Sequence, residues 1–279
     1  MKIGARAHDF GRHTADALAG IIKDAGFDCV QLAPAKAIDG INRIHDITAR
    51  HAEEIKRAFE RYDLEITVLG CYIEPSIHDR EKRLENVRIF TDNIVHAKNM
   101  GATVVGTETT ALNTQAPKEE REASYALLKD SVLRMAEAAE REGVIIGIEP
   151  VAEHTLNTPE LARRLLDEVR SKKLKLIFDP ANLLLPESVD RQGAIFRQMI
   201  ELLGDDIAVM HIKNIAIEDN KKAWCKIGEG VIDYTMIFDW LLREKADIRL
   251  LCDNVRMDSY MEDLNTLKQL VGRNHNGYL

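Results

Sequence analysis

One grammar recurs along this chain: an amphipathic helix, a glycine, then a short apolar run. It appears as Lys23-Asp24-Ala25-Gly26 before Cys29-Val30-Gln31-Leu32, as Lys98-Asn99-Met100-Gly101 before Val104-Val105, and as Arg141-Glu142-Gly143 before Val144-Ile145-Ile146. Each glycine suits the left-handed residue that ends a helix, and each run is long enough for a buried strand but short for a helix. Helix starts are legible at Thr14, at Thr48 and at Thr158-Pro159-Glu160, where a threonine cap precedes a proline already set to helical φ. The reading yields strands at Lys2 to Ala7, Cys29 to Leu32, Glu65 to Cys71, Thr103 to Thr107, Val144 to Ile148, Leu174 to Phe178, Ile207 to Met210 and Ile248 to Cys252. Most are near-continuous Val/Ile/Leu runs, as expected where helices cover one face and side chains fill the other.

Alternation of strand and helix over 279 residues predicts an α/β fold, a (β/α)8 TIM barrel forming a single domain over residues 1–279. The rival is an open doubly wound sheet. That fold would place a Gly-x-Gly-x-x-Gly turn after the first strand, where Arg6-Ala7-His8-Asp9-Phe10 stands instead. Tyr260 to Val271 reads as the closing helix and Gly272 to Leu279 as a tail.

A formal net charge of -8 and a pI near 5.7 argue against broad attraction to nucleic acid or anionic lipid. No apolar stretch approaches the roughly 20 residues that cross a bilayer, so no membrane partner is expected. The four cysteines form no Cys-x-x-Cys pair and mostly sit in or beside apolar runs, which fits reduced thiols in a cytoplasmic protein.

Ile148-Glu149, Phe178-Asp179, Met210-His211 and Cys252-Asp253 each end an apolar run with a metal-capable side chain. In a parallel barrel these four residues leave strands five to eight at the carboxyl-terminal end, where such folds build their active sites. One polar residue at a strand end is commonly just solvated; four in succession call for a shared purpose. Glu149, Asp179, His211 and Asp253 suit one divalent ion such as Mn²⁺, Mg²⁺, Co²⁺ or Zn²⁺ and leave positions for substrate oxygens. The competing arrangement is a set of buried ion pairs with Lys213 and Lys226.

Other residues fall around the same mouth. Lys213, two after His211 on a strand, points the same way and is placed either to steady a substrate oxygen or to pair with a barrel carboxylate. Arg6 and His8 end the first strand, placed either to meet substrate hydroxyls or a phosphate or to make core or surface hydrogen bonds; His154, in the loop after Glu149, is either a substrate contact or an ordinary loop histidine. Glu74 and Glu108, after the third and fourth strands, face the far side, where either is a proton donor or a sugar-hydroxyl acceptor or, more simply, a solvated loop residue. Trp224 sits in the loop after strand seven, where it covers substrate or packs on the rim.

Gly147-Ile148-Glu149-Pro150, Phe178-Asp179-Pro180-Ala181-Asn182-Leu183-Leu184, His211-Ile212-Lys213 and Gly228-Glu229-Gly230-Val231-Ile232-Asp233-Tyr234 together resemble the signature stretches of the sugar phosphate isomerase/epimerase family, the xylose-isomerase-like barrels. Its members include ketose 3-epimerases, hydroxypyruvate isomerases, inosose dehydratases and apurinic endonucleases. The resemblance implies that Glu149, Asp179 and His211 are metal ligands, with Asp253 in the place of a fourth that is usually glutamate. In epimerase-like members the two glutamates also serve as acid and base, which makes Glu149 and Asp253 the expected catalytic pair. An aspartate is one methylene shorter, so its reach toward substrate is reduced. Asn182 stands where many members carry histidine and is expected to touch substrate. Members are often dimers or tetramers, so the resemblance admits a homo-oligomer.

The expected chemistry is that of a divalent-metal-dependent isomerase or epimerase acting on a sugar, sugar phosphate or related keto-polyol through an ene-diolate, with Glu149 as base. Expelling a β-hydroxyl from the same intermediate makes the protein a dehydratase, for example of an inosose. A non-catalytic sugar-binding barrel is a third reading. An apurinic endonuclease is disfavoured, because the additional metal-binding histidines of those relatives, one of them at the Asn182 position, are missing.

Overall fold

Eight parallel strands close on themselves in this computed structural model, which describes residues 1–272. The strands are β1 Lys2–Arg6, β2 Cys29–Leu32, β3 Glu65–Gly70, β4 Val104–Glu108, β5 Ile145–Glu149, β6 Leu174–Phe178 and β7 Ile207–Ile212, and the barrel is completed by β10 Arg249–Cys252. Around the barrel the order is β1, β10, β7, β6, β5, β4, β3, β2, so first and last strands meet, with Gly4 opposite Leu251. This is the (β/α)8 barrel expected from the alternating pattern. The closing helix is α9 Tyr260–Gly272, and residues 273–279 of the expected tail lie outside the described residues.

The helices start and stop for local reasons. Helix α1 Ala15–Asp24 is capped by Thr14, α3 Ala49–Arg61 by Thr48, and α6 Pro159–Val169 by Thr158, each hydroxyl accepting from a backbone N–H in the first turn. Between them lie the short α2 Pro34–Ala37, α4 Arg80–Met100 and α5 Lys118–Glu142, followed by α7 Gln192–Leu203 and α8 Thr235–Glu244. Helices α4 and α5 end on Gly101 and Gly143, both left-handed with φ of 75° and 76°.

Two apolar regions result from the period-two alternation of the strands. Residues such as Ile146, Ile148, Leu176 and Leu250 face outward into the main core under the helices. Cys29, Val68, Val104, Ile177, Val209 and Leu251 form a separate buried cluster inside the barrel. Gly106 and Gly147 make room for Ile177: a Cβ on either would stand 2.7 Å and 2.9 Å, respectively, from its side chain. The barrel is thus filled rather than hollow.

One element departs from the expected loop after the seventh strand. Strands β8 Asn214–Glu218 and β9 Lys221–Cys225 form an antiparallel hairpin, turning at Asp219 and Asn220 with φ of 48° and 58°. Two successive positive-φ residues match the twist of a two-residue hairpin. Gly230 lets the following chain pack against its base, where a Cβ would come within 2.2 Å of Asn214 Oδ1. Among the described residues no helix is long and apolar enough to cross a membrane.

Candidate metal centre at the carboxyl end of the barrel

Moving two residues on from Cys29, Ile177, Val209 and Leu251, or four from Val68 and Val104, reaches the rim, and there the side chains change character. Arg6, Gln31, Tyr72, Glu108, Glu149, His211 and Asp253 line a cavity of about 290 Å³ together with Lys36. Asp179, immediately after β6, belongs to the same ring through its contacts with Lys213 and through its place beside Glu149 and His211. A larger open depression of about 620 Å³ lies at the opposite end of β6, beside Leu174 and Lys175. There Arg163 and Lys175 both pair with Asp206, and the donor-bearing cavity is the one suited to chemistry.

Glu149, Asp179 and His211 each offer a ligand atom within 4.8 Å of the others, and all three are buried. Glu149 accepts from Asn182 Nδ2 at 2.6 Å through Oε1 and faces His211 Nδ1 at 3.2 Å through Oε2. Asn182 therefore touches the Glu149 carboxylate. Asp179 Oδ1 is fixed by the backbone N–H groups of Ala181 and Asn182 at 2.9 Å and 3.0 Å. Its Oδ2 is fully buried and receives no aligned hydrogen bond, although Lys213 Nζ lies 2.9 Å away.

The imidazole is oriented from behind. His211 Nε2 donates to Gln31 Oε1 at 2.7 Å, while Gln31 Nε2 donates to the Tyr72 hydroxyl at 2.8 Å. This leaves Nδ1 as the nitrogen directed at the carboxylates, the arrangement by which metal-binding histidines are held in one tautomer. Gln31 and Tyr72 were not among the residues singled out from sequence. The available signal was one amide, now 5% exposed, inside the otherwise apolar run Cys29-Val30-Gln31-Leu32.

The donor set fits a divalent cation. Two carboxylates and an imidazole converge, the Asp179 Oδ2 lone pairs lack a well-directed donor, and the second nitrogen of the histidine is already committed.

Asp253 stands outside that three-residue group. Its Oδ1 meets Arg6 Nη1 at 2.5 Å and its Oδ2 meets Lys213 Nζ at 2.8 Å. Lys213 thus pairs with barrel carboxylates, as one of the two arrangements envisaged, whereas Lys226 pairs with Glu262 at 2.5 Å, away from the site. Arg6 lines the cavity; His8 lies beyond the strand in a 3-10 turn over Ala7–Phe10 and is absent from the lining. His154 places Nε2 3.8 Å from Glu108 Oε2, and Glu74 is exposed. Trp224 lies on β9 beneath the Arg256 guanidinium, 4.0 Å from its ring centroid.

Electrostatics separate the carboxylates. Burial works against charge at Asp253, yet Lys213, Arg6 and His211 hold its carboxyl well below the usual range. Burial likewise opposes ionisation of Glu149, and His211 and Lys213 outweigh it. Asp179 goes the other way, raised by burial and by the neighbouring Glu149 and Asp253 charges despite Lys213. Glu108 is pushed up to about 7 by burial and then by Glu149. Burial opposes charge on Lys213, but Asp179, Asp253 and Glu149 keep it firmly protonated.

The chain belongs to the xylose isomerase-like TIM barrel family, whose sequence pattern it matches over residues 20–270. No curated protein matches it. Similar solved structures include a 3-keto-D-glucoside 4-epimerase from E. coli, at 19% identity and a TM-score of 0.76, covering 96% of this chain and 99% of that one. The IolI protein, solved with a bound zinc atom, is 17% identical with a TM-score of 0.75, over 99% of this chain and 100% of the other. A probable 3-DHS dehydratase, AsbF from Bacillus anthracis, is 17% identical with a TM-score of 0.74, over 96% and 99%. At these identities the likeness carries the fold.

Proposed function

We propose that this protein is a divalent-metal-dependent isomerase or epimerase of a sugar, sugar phosphate or related keto-polyol. The observation that carries this reading is the convergence of Glu149, Asp179 and His211, with Asp179 Oδ2 buried and without an aligned donor. Epimerase chemistry in a structure of the same fold supports it, and the zinc held by another supports the metal. Glu149, Asp179 and His211 would hold the ion. When bound, it supplies Lewis-acid stabilisation for negative charge developing on adjacent substrate oxygens.

The chain's own groups do the rest. Glu149 is the base that takes a proton from the carbon beside the substrate carbonyl, and the Asn182 amide fixes its Oε1 during that transfer. Lys213, protonated and buried between Asp179 and Asp253, adds a positive charge at the mouth of the site as negative charge develops. Glu108, level with Glu149 on the adjacent strand, is the neighbouring acid. Lys36 over Tyr72 and Arg6 line the way in for substrate hydroxyls or a phosphate.

One observation favours a dehydratase as the second reading. Glu108 and Glu149 are partners on adjacent strands, so the acid and the base lie on one side of the barrel. With Asp253 held by Arg6 and Lys213, that pair is suited to removing a proton and assisting departure of a hydroxyl from the same side. A probable dehydratase shares the fold.

The test is proton exchange. The Mn²⁺-loaded protein is incubated in D₂O with a ketose panel that includes D-fructose, D-tagatose and a 3-keto-glucoside, and followed by NMR and mass spectrometry. The expected result is deuterium at the carbon beside the carbonyl, lost in Glu149→Gln. A product of unchanged mass apart from deuterium gives the isomerase or epimerase reading, and loss of water gives the dehydratase. Metal bound with no exchange in any ketose would replace both with a sugar-binding barrel.

A further inference from the structure

The eighth-strand carboxylate is built differently from the other three, and the strand register explains why. His211 on β7 is level with Leu251 on β10, and Cys252 is level with Ile212. Asp253 therefore stands beside Lys213, one inward-facing step closer to the rim than the imidazole. What lies across from His211 on β10 is an apolar residue of the barrel floor, Leu251.

Both oxygens of Asp253 already have cationic partners, Arg6 at 2.5 Å and Lys213 at 2.8 Å. Those partners are themselves fixed. Arg6 is anchored by Asp9 Oδ1, at 2.9 Å from Nε and 2.8 Å from Nη2, and by Asn254 Oδ1 at 2.6 Å. The Lys213 backbone is clamped by Tyr234, whose hydroxyl donates to the Lys213 carbonyl at 2.6 Å and accepts from its N–H at 3.2 Å. The Lys213 ammonium also stands 2.9 Å from Asp179 Oδ2, the very atom left open toward a cation.

On the proposed metal centre rests a sharper statement. We infer that the centre has three protein ligands, that Lys213 competes with the ion for Asp179, and that Asp253, with Arg6, receives the lysine when the ion binds. An ion on Asp179 Oδ2 and an ammonium within 3 Å of that atom repel strongly in a buried site. Asp253 offers the lysine a carboxylate that is already in contact. Asp253 is then a positioning residue, coupled to the ion only through Lys213.

A double-mutant cycle on Mn²⁺ binding distinguishes this from ligation by Asp253. Titrations by calorimetry or free-Mn²⁺ electron paramagnetic resonance are made on the intact chain, Lys213→Met, Asp253→Asn and the double variant, with Glu149→Gln as a reference. Lys213→Met is expected to bind Mn²⁺ about tenfold tighter or more, from relief of the repulsion. Asp253→Asn weakens binding, because the lysine stays on Asp179, and the double variant binds like Lys213→Met. If Asp253→Asn weakens binding equally with and without Lys213, Asp253 is a ligand and the inference is wrong. A Lys213→Met protein that binds no tighter than the intact chain overturns it too. Absence of Mn²⁺ binding in every protein, Lys213→Met included, instead overturns the metal centre itself. Should Lys213→Met fail to fold, Lys213→Gln keeps a donor without the charge and completes the same cycle.

Discussion

Along β5 the inward side chains read Gly147 then Glu149; along β7, Val209 then His211; toward the end of β10, Leu251 then Asp253. Two layers of one barrel, a single inward step apart, are therefore chemically opposite. The lower is a dry plug in which Cys29, Val68, Val104, Ile177, Val209 and Leu251 meet. The upper carries carboxylates, the cations Arg6, Lys36 and Lys213, an imidazole and the Gln31 amide. The contrast teaches how the donors hold their positions: each is borne by a strand whose preceding inward residue is locked in a close-packed floor. The same floor keeps the local dielectric low, so that Lys213 and Arg6 act strongly on Asp253.

Substitutions that touch one layer at a time test this division. The largest effect is expected for Glu149→Gln in the upper layer, with kcat falling about 10²- to 10⁴-fold on any ketose the protein turns over. Because the floor is untouched, the melting temperature should change little, and a large drop would mean that Glu149 is a structural group. Next comes Gln31→Leu, which frees His211 Nε2 from its acceptor. Metal affinity measured by Mn²⁺ titration should fall about 10- to 100-fold. An unchanged affinity would separate the imidazole orientation from ion binding.

In the floor, Gly147→Ala places a methyl 2.9 Å from Ile177 and Val104 side-chain carbons. Overpacking of this kind should destabilise the fold by about 1–3 kcal/mol, read from denaturant unfolding. Equal stability would show that Ile177 can move aside and that the floor is looser than its packing implies. The smallest effect concerns His8, just beyond the end of β1, whose pKa burial and then Arg6 and Lys36 push down to about 4. The unfolded chain binds a proton there from its ordinary pKa of 6.5 downward, and the folded protein does not until about 4. Stability contributed by neutral His8 is therefore intact above 6.5 and lost as pH falls toward 4. His8→Asn should flatten the stability curve in that window, and an unchanged slope would place the pH dependence elsewhere.

Much of this architecture was legible in the residues. The apolar runs and threonine caps gave the barrel, because buried parallel strands and helix starts leave local marks. Glu149, Asp179 and His211 were legible for the same reason, each ending such a run. The β8–β9 hairpin also left a mark, an Asp219-Asn220 turn flanked by alternating Ile215 and Ile217, but it lacks the glycine usual in such turns. What local pattern does not carry is partnership across barrel closure. Arg6 and Asp253 come together only because β1 pairs with β10, and Gln31 reaches His211 from across the barrel mouth. The identity of a counter-ion depends on such register, which no short window of sequence contains.

The proposed centre holds one divalent ion on Glu149, Asp179 and His211. Pulsed electron paramagnetic resonance of the protein reconstituted with stoichiometric Mn²⁺ tests it most directly. The expected result is one bound ion per chain with a nitrogen hyperfine coupling that disappears in His211→Gln. Reconstituted protein that holds no Mn²⁺, or holds it with no nitrogen coupling, would contradict it.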